Sequence, residues 1–452
     1  MSGQSRELVL FSRMDYADSF TLERFRATGG YTALAAALTR SPAQIIDDVK
    51  TSGLRGRGGA GFPTGVKWGF LPADSFPRYL VINGDEGEPG TFKDRQLIER
   101  DPHQLIEGVA IASYALQVNT AFLYIRGEFA LGHERLTHAL NEARAAGLVG
   151  KNILGSGFDL DIVVQPGAGA YICGEETALL ESLEGRRGMP RLRPPFPAVK
   201  GLYAKPTVVN NVETISALPW IINNSGGAYA QLGGNKSTGT RIMSLSGHVN
   251  RPGNYEVELV STTFRDLFFD PELGGGLRPG RELLAFVPGG ASAPWFGPDQ
   301  LDCPLDMDEV QARGSMLGSG AVMVMDDSTN PIKAALSLVA FFAHESCGKC
   351  TPCREGTGWL TKILTRIDNG HGRPEDLELL LDVCDNISPG LTWPPGQTTI
   401  CPLGPSAASP VVSSLRLFRS YYEAAVGGAV PVSSTPVDDP TVVGASSGAA
   451  HG

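Results

Sequence analysis

Tyr79-Leu-Val-Ile-Asn-Gly-Asp85 reads as a short apolar strand that stops at a turn and an acid. The same texture returns at 121–126 and 160–165, and each run again ends in a loop with glycine: Gly127-Glu128 and Pro166-Gly167. Between the runs, 104–117 and 131–146 carry helical periodicity. Strands alternating with helices of this length predict an α/β fold, a parallel sheet covered by helices. Ligands of open α/β sheets bind outside the carboxyl ends of the strands, so the loops after these runs are expected to converge on one.

Working outward, Ser41 can cap a helix that Pro42 opens and that Ile45, Ile46 and Val49 give one apolar face. Residues 1–40 read as a lead-in with some helix. Downstream, 222–236 turns polar and glycine-rich, as a domain boundary would. The β-like runs 242–246, 255–259, 283–287 and 321–325 predict a small α+β domain. Helical periodicity returns over 331–344, 360–383 and 415–424. Beyond Gly427 bulky apolar residues almost vanish, and a disordered tail is expected over 428–452.

The chain has 452 residues, a length that suits about three domains. Its 38 Lys and Arg against 48 Asp and Glu leave a net charge of −10. That balance argues against nucleic acid, whose phosphates call for a basic face. No apolar run approaches the ~18 residues of a membrane helix, and residues 1–7 lack the apolar core of a signal peptide. A soluble, cytoplasmic chain is expected. Glycine, at 56 residues, exceeds the usual ~7% share and suggests loops that approach a ligand closely.

Four stretches carry chemistry. Gly53-Leu-Arg-Gly-Arg-Gly-Gly-Ala-Gly-Phe-Pro-Thr-Gly65 contains G-x-G-x-x-G, but a helix precedes it where the dinucleotide fingerprint wants a strand. It is a flexible surface loop or, given Arg55, Arg57 and Lys67 nearby, backbone laid against a ring or phosphate. Asn83-Gly-Asp-Glu-Gly-Glu-Pro-Gly90 suits either a hard cation or hydrogen bonds to a flavin. Gly167-Ala-Gly-Ala-Tyr-Ile-Cys-Gly-Glu-Glu-Thr177 runs from a strand end into a helix, where glycine backbone suits an anion. Its Cys173 reads as a packed core thiol. Cys347-Gly-Lys-Cys350-Thr-Pro-Cys353 has the spacing that holds three corners of a [4Fe–4S] cube. A structural zinc site is the alternative. Cys401, followed by Pro402 as in the ferredoxin pattern, is the expected fourth ligand. Cys384 lies in an apolar helical run, and Cys303 falls in the β-like segment.

These stretches, with D-E-G-E-P-G-T-F-K-D-R at 85–95, K-P-T-V-V-N-N-V-E-T at 205–214 and E-S-C-G-K-C-T-P-C-R-E-G at 345–356, together resemble the NADH-binding flavoprotein subunits of respiratory NADH:quinone oxidoreductases. The resemblance spans roughly residues 40–425 and extends to the diaphorase subunits of NAD-linked hydrogenases and formate dehydrogenases. It implies a modified Rossmann-like FMN domain over 41–235, a β-grasp-like domain over 236–328 and a helical [4Fe–4S] domain over 329–427. It places Gly56, Arg57, Gly58, Gly59, Lys67, Asn83, Asp85, Glu86, Gly174, Glu175, Val209, Asn210, Asn211 and Thr214 at FMN. NADH is expected against Phe62, Phe70 and Phe196, with Glu88, Tyr171, Glu176 and Arg193 lining its pocket. The cluster is expected on Cys347, Cys350, Cys353 and Cys401.

The resemblance further implies hydride transfer from NADH to FMN without a protein acid or base, then single electrons to the cluster. Implied partners are a [2Fe–2S] thioredoxin-like subunit and a large iron–sulfur subunit, which hold the chain at the inner face of the plasma membrane. Two departures stand out: Arg193 where a lysine is common, and an insertion near 388–397 before Cys401. A zinc-stapled scaffold without redox activity is the reading from another class.

Overall fold

The computed structural model describes residues 8–427, apart from 235, 392 and 393. The tail expected over 428–452 lies outside the described residues. Strands β1 (Tyr79–Gly84), β2 (Thr120–Ile125), β3 (Asp161–Pro166) and β4 (Thr207–Asn211) form a parallel sheet in the order β3-β2-β1-β4. β1 is central, and its Leu80, Val81 and Ile82 are buried, as a strand covered on both faces demands. The helix Pro102–Leu116 is buried along almost its whole length. It packs so closely on the helix Val212–Ser216 that a Cβ on Gly108 would stand 2.2 Å from the Ile215 carbonyl oxygen. Ser41 and Gln44 close a capping box on the helix Pro42–Thr51.

A short antiparallel pair, β5 (Gly233–Gly234) and β6 (Ser237–Thr238), leads into a second, mixed sheet. Its strands are β7 (Thr240–Gly247), β8 (Gly253–Glu258), β9 (Leu283–Val287) and β10 (Ala321–Asp326), in the order β8-β7-β10-β9. β7 and β10 run parallel, and both edge strands are antiparallel to their neighbours. Phe264, Phe268, Phe286 and Phe296 fill its core with mutual ring contacts. The lead-in is fastened to this sheet: the peptide N–H groups of Val9, Leu10 and Phe11 all donate to the buried Glu256 carboxylate.

Among the described residues five α-helices follow: Pro331–Glu345, Thr351–Asp368, Glu375–Ile387, Leu403–Leu417 and Arg419–Val426. The single helical stretch expected over 360–383 is two helices, because Asn369-Gly370-His371-Gly372-Arg373-Pro374 breaks the ladder between them. Leu403–Leu417 begins well before the expected 415 and contains Pro410, whose missing N–H argues against a helix when only the sequence is read. The polar stretch 222–236 holds the end of one short helix, Leu218–Asn224, and the whole of another, Gly226–Gln231. Among the described residues no helix is long and apolar enough to cross a membrane.

Candidate functional site

The strand order reverses between β1 and β4, the switch point at which open α/β sheets bind ligands. A cavity of about 1100 Å³ opens there. Ligand pockets typically hold ~300–1,000 Å³, so this one has room for more than a single mononucleotide. Gly58, Gly59, Lys67, Asn83, Asp85, Glu86, Gly174, Glu175, Val209, Asn210 and Asn211 line it, as do Phe62, Phe70, Glu88, Tyr171, Glu176, Arg193 and Phe196. Three expected residues do not. Gly56, Arg57 and Thr214 are absent from the lining. The Arg57 guanidinium is buried away from the cavity, donating to the carbonyls of Thr238 (2.8 Å) and Thr240 (3.1 Å). Its peptide N–H donates to Thr214 Oγ1 at 2.9 Å. Both side chains tie the glycine loop to the elements behind it.

The cavity floor is glycine backbone. A Cβ on Gly58 would meet Asn211 Cβ at 3.0 Å, and one on Gly174 would meet the Asp85 carbonyl at 3.2 Å. Gly59 sits at φ +134°, which excludes most side chains. Around this floor the polar groups hold one another. Asn83 Nδ2 donates to the Gly174 carbonyl (2.8 Å), Trp68 Nε1 to Asn210 Oδ1 (2.9 Å) and Asn211 Nδ2 to Asp94 Oδ2 (2.6 Å). Lys67 Nζ donates to the Val209 carbonyl (2.7 Å) and pairs with Glu176 (3.3 Å). Arg193 bridges Glu176 (3.1 Å) and Glu175 (3.4 Å). At the mouth Phe62, Phe70 and Phe196 stay exposed, and the first two rings lie 5.9 Å apart.

Three carboxylates follow β1, and each is spent differently. Asp85 Oδ2 is buried without a hydrogen-bond partner, and burial raises its carboxyl to about 7 although Arg126 opposes this. Glu86 accepts the N–H groups of Asp94 (2.8 Å) and Arg95 (2.9 Å), capping the helix Lys93–Arg100. Phe92, the residue at that helix's own cap position, has no side chain able to do so. Glu88 accepts from Tyr171 Oη (2.6 Å) and from the N–H and hydroxyl of Ser292 (2.7 and 2.6 Å). Burial raises its carboxyl, and these donors oppose the rise. Beneath them Lys93 is fully buried against Asp94 (2.8 Å) and Glu213 (2.7 Å).

Sequence reasoning missed the wall that the second sheet provides: Gly289, Ser292, Met316, Gly318 and Ser319. Its one signal was the glycine pair closing β9 at Gly289-Gly290, the same strand-end pattern that marks the first sheet's loops. Lys93 and Asp94, also in the lining, gave no signal beyond their place after the acidic loop.

Cys353 and Cys401 are buried in one cluster with Leu403 and Phe342, and the half-buried Cys347 and Cys350 pack against it. Cys350 holds the cap position of the helix Thr351–Asp368, Cys353 lies in its first turn, and Cys401 precedes the helix Leu403–Leu417. Cys401 and the four residues Pro402, Leu403, Pro405 and Ser406 also line the cavity, so the thiol cluster borders the switch-point site. Among the described residues no three His, Cys, Asp or Glu side chains close on a point for a single ion. Thiolates at the corners of a cube stand farther apart than thiolates on one ion. Burial pushes the Cys353 thiol to about 11 and the Cys401 thiol to about 12, so a bound metal must displace their protons. Cys173 packs against Tyr124, Cys303 lies in the second core and Cys384 in the helical core.

Residues 49–220 match the Nuo51 FMN-binding domain, and residues 333–425 match the NADH-ubiquinone oxidoreductase-F iron-sulfur binding region. The NuoF subunit of NADH-quinone oxidoreductase of Streptomyces coelicolor is 52% identical over 421 residues, 93% of this chain and 91% of its own. The chain belongs to the NuoF family of NADH-quinone oxidoreductase subunits. The NuoF protein of Mycobacterium tuberculosis H37Rv is likewise 52% identical, over 94% of each chain. Among solved structures, an NAD+-reducing [NiFe]-hydrogenase in the H2-reduced state is similar, with a TM-score of 0.80 and 35% identity over 93% of this chain and 67% of that one. The NuoF family's FMN-binding domain and its 4Fe-4S binding region are thus both present. The residues suit both groups: a glycine floor that a Cβ would fill, an orphaned buried carboxylate oxygen beside it, and four clustered thiols.

Proposed function

We propose that the chain is the NADH-oxidising subunit of a respiratory NADH:quinone oxidoreductase, holding FMN at the switch point and a [4Fe–4S] cluster on Cys347, Cys350, Cys353 and Cys401. The observation that carries this reading is one continuous cavity, bounded on one side by the glycine floor of the first sheet and on the other by Cys401. Bound FMN supplies the exchange between two-electron hydride chemistry and one-electron transfer, and the cluster supplies a one-electron relay.

The protein's own part is positioning. Gly58, Gly59 and Gly174 leave room for a flat ring against backbone. Asn83, Asp85, Asn210 and Asn211 present polar groups to its edges and side chain. Phe62, Phe70 and Phe196 offer exposed rings for adenine at the mouth. Lys67 and Arg193 sit among Glu175 and Glu176, placing cations where a phosphorylated ligand enters. No side chain is needed to give or take a proton during hydride transfer.

The domain limits 41–235, 236–328 and 329–427, with Rossmann-like, β-grasp-like and helical character, belong to this proposal. So do electron delivery to a [2Fe–2S] thioredoxin-like subunit and a large iron–sulfur subunit, and a place at the inner face of the plasma membrane within the complex. The absorption spectrum and the FMN and iron content of the purified chain test the reading. Flavin bands over broad iron–sulfur absorption, with four irons per chain, support it. A colourless protein carrying zinc would overturn it.

A further inference from the structure

We propose that Ser292, contributed by the second sheet's unit, is a positioning residue for the nucleotide: it fixes Glu88 in one orientation and keeps it ionised. The inference rests on the reading above, in which Glu88 lines the NADH half of the cavity.

A buried carboxylate has to be satisfied by donors or it takes up a proton. Glu88 Oε1 receives two donors from one residue, the Ser292 N–H at 2.7 Å and the Ser292 hydroxyl at 2.6 Å. Oε2 receives only the Tyr171 hydroxyl, at 2.6 Å. No other titratable or charged side chain is among the main influences on the Glu88 carboxyl; burial raises it, and Ser292 and Tyr171 lower it. Ser292 is itself held rigidly. Gly290 N–H donates to the Ala321 carbonyl (2.8 Å), Ser319 N–H to the Gly289 carbonyl (3.0 Å), and Thr91 Oγ1 and Ser319 Oγ meet at 2.5 Å across the cavity wall. Gly290 has φ +94°, and a Cβ there would stand 2.7 Å from Glu88 Cγ. The loop is shaped to bring its backbone against this side chain. The nucleotide half of the site is therefore incomplete without the second unit, although every NADH residue expected from the sequence lies before residue 200.

The experiment compares FMN-loaded wild type with Ser292→Ala, Ser292→Thr, Glu88→Gln and the Ser292→Ala/Glu88→Gln double variant. It reads FMN content, steady-state kinetics with NADH and ferricyanide from pH 5.5 to 8.5, and equilibrium NAD+ binding by calorimetry. Losing one hydrogen bond to a buried charge shifts such constants by roughly ten- to a hundredfold. Ser292→Ala is expected to keep FMN, to change KM for NADH and Kd for NAD+ by about that factor with kcat within about twofold, and to move the acid limb of kcat/KM to higher pH. Ser292→Thr restores the wild-type values. The double variant matches Glu88→Gln alone, because Ser292 acts only through Glu88. Additive effects, or wild-type binding and pH profile in Ser292→Ala, overturn the assignment to Ser292 while leaving Glu88 at the nucleotide. An unchanged KM and Kd in Glu88→Gln overturns both that reading and this one. If Ser292→Ala does not retain FMN, Ser292→Cys, similar in size but a weak donor, takes its place in the same comparison.

Discussion

Individual side chains around the cavity divide into those that face it and those spent on holding it. Arg57 belongs to the second kind, Glu88 and Lys67 to the first, and Glu86, which lines the cavity while capping a helix, to both. Glu88→Gln is accordingly expected to keep FMN and to change the apparent affinity for NADH; loss of FMN with unaltered NADH kinetics would contradict this placement. Cys401→Ala is expected to lose the four-iron signal in electron paramagnetic resonance while retaining FMN. Cys303→Ala should keep its iron, since Cys303 is buried in the second core; a normal reduced-cluster spectrum from Cys401→Ala would refute the ligand assignment. The residue identities at the site were legible because glycine, acid and thiol patterns survive in one dimension. What was not legible is which of two buried groups turns inward. Arg57 directly precedes two lining glycines, Gly58 and Gly59, yet its guanidinium finds its acceptors in Thr238 and Thr240, some 180 positions on, and no local pattern announces that.

Among the elements, the parallel sheet was readable from alternation, and β1, β2 and β3 fall within a residue or two of the expected limits, whereas β4 was not expected as a strand. One helix was misread because a local signal opposes the tertiary one. Leu403–Leu417 keeps Pro410 in its interior because its buried face packs against the helix Pro331–Glu345. Tertiary contacts there outweigh the ~3 kcal/mol that an interior proline costs. The helix Pro102–Leu116 illustrates the converse, a glycine that propensity alone would replace. Alanine at Gly108 gains ~1 kcal/mol of helix propensity but drives its Cβ into the Ile215 carbonyl. Gly108→Ala is expected to lower stability by about 2–3 kcal/mol, read as a fall in the urea midpoint; an unchanged or higher midpoint would show that the two helices can slide apart at little cost.

For the whole molecule, several buried carboxyl groups sit well above their usual range, and this gives the fold a pH dependence with a definite sign. Burial raises Glu107 to about 7 despite the Leu34 N–H it accepts, whereas in the unfolded chain it titrates near ~4.3. Between those values the folded state holds a proton that the unfolded state has released, so stability falls as pH rises through the window. Glu107→Gln should flatten the decline from pH 5 to 7.5 by roughly 2–3 kcal/mol, measured as urea midpoints at several pH values; an unaltered slope would remove Glu107 as its source. Truncation after Gly427 is expected to leave FMN binding and NADH-dependent ferricyanide reduction intact, and loss of either on truncation would show that 428–452 docks on the fold. The clasp between Phe11 and Glu256, separated by 245 positions, bears on the birth of the protein as well as its equilibrium. A ribosome adding ~5–20 residues per second delivers the first partner about 12–50 s before the second. Throughout that interval three peptide groups of the amino-terminal stretch lack their native acceptor and turn to water instead, and the stretch locks into place only after the first sheet's four strands have all been synthesised.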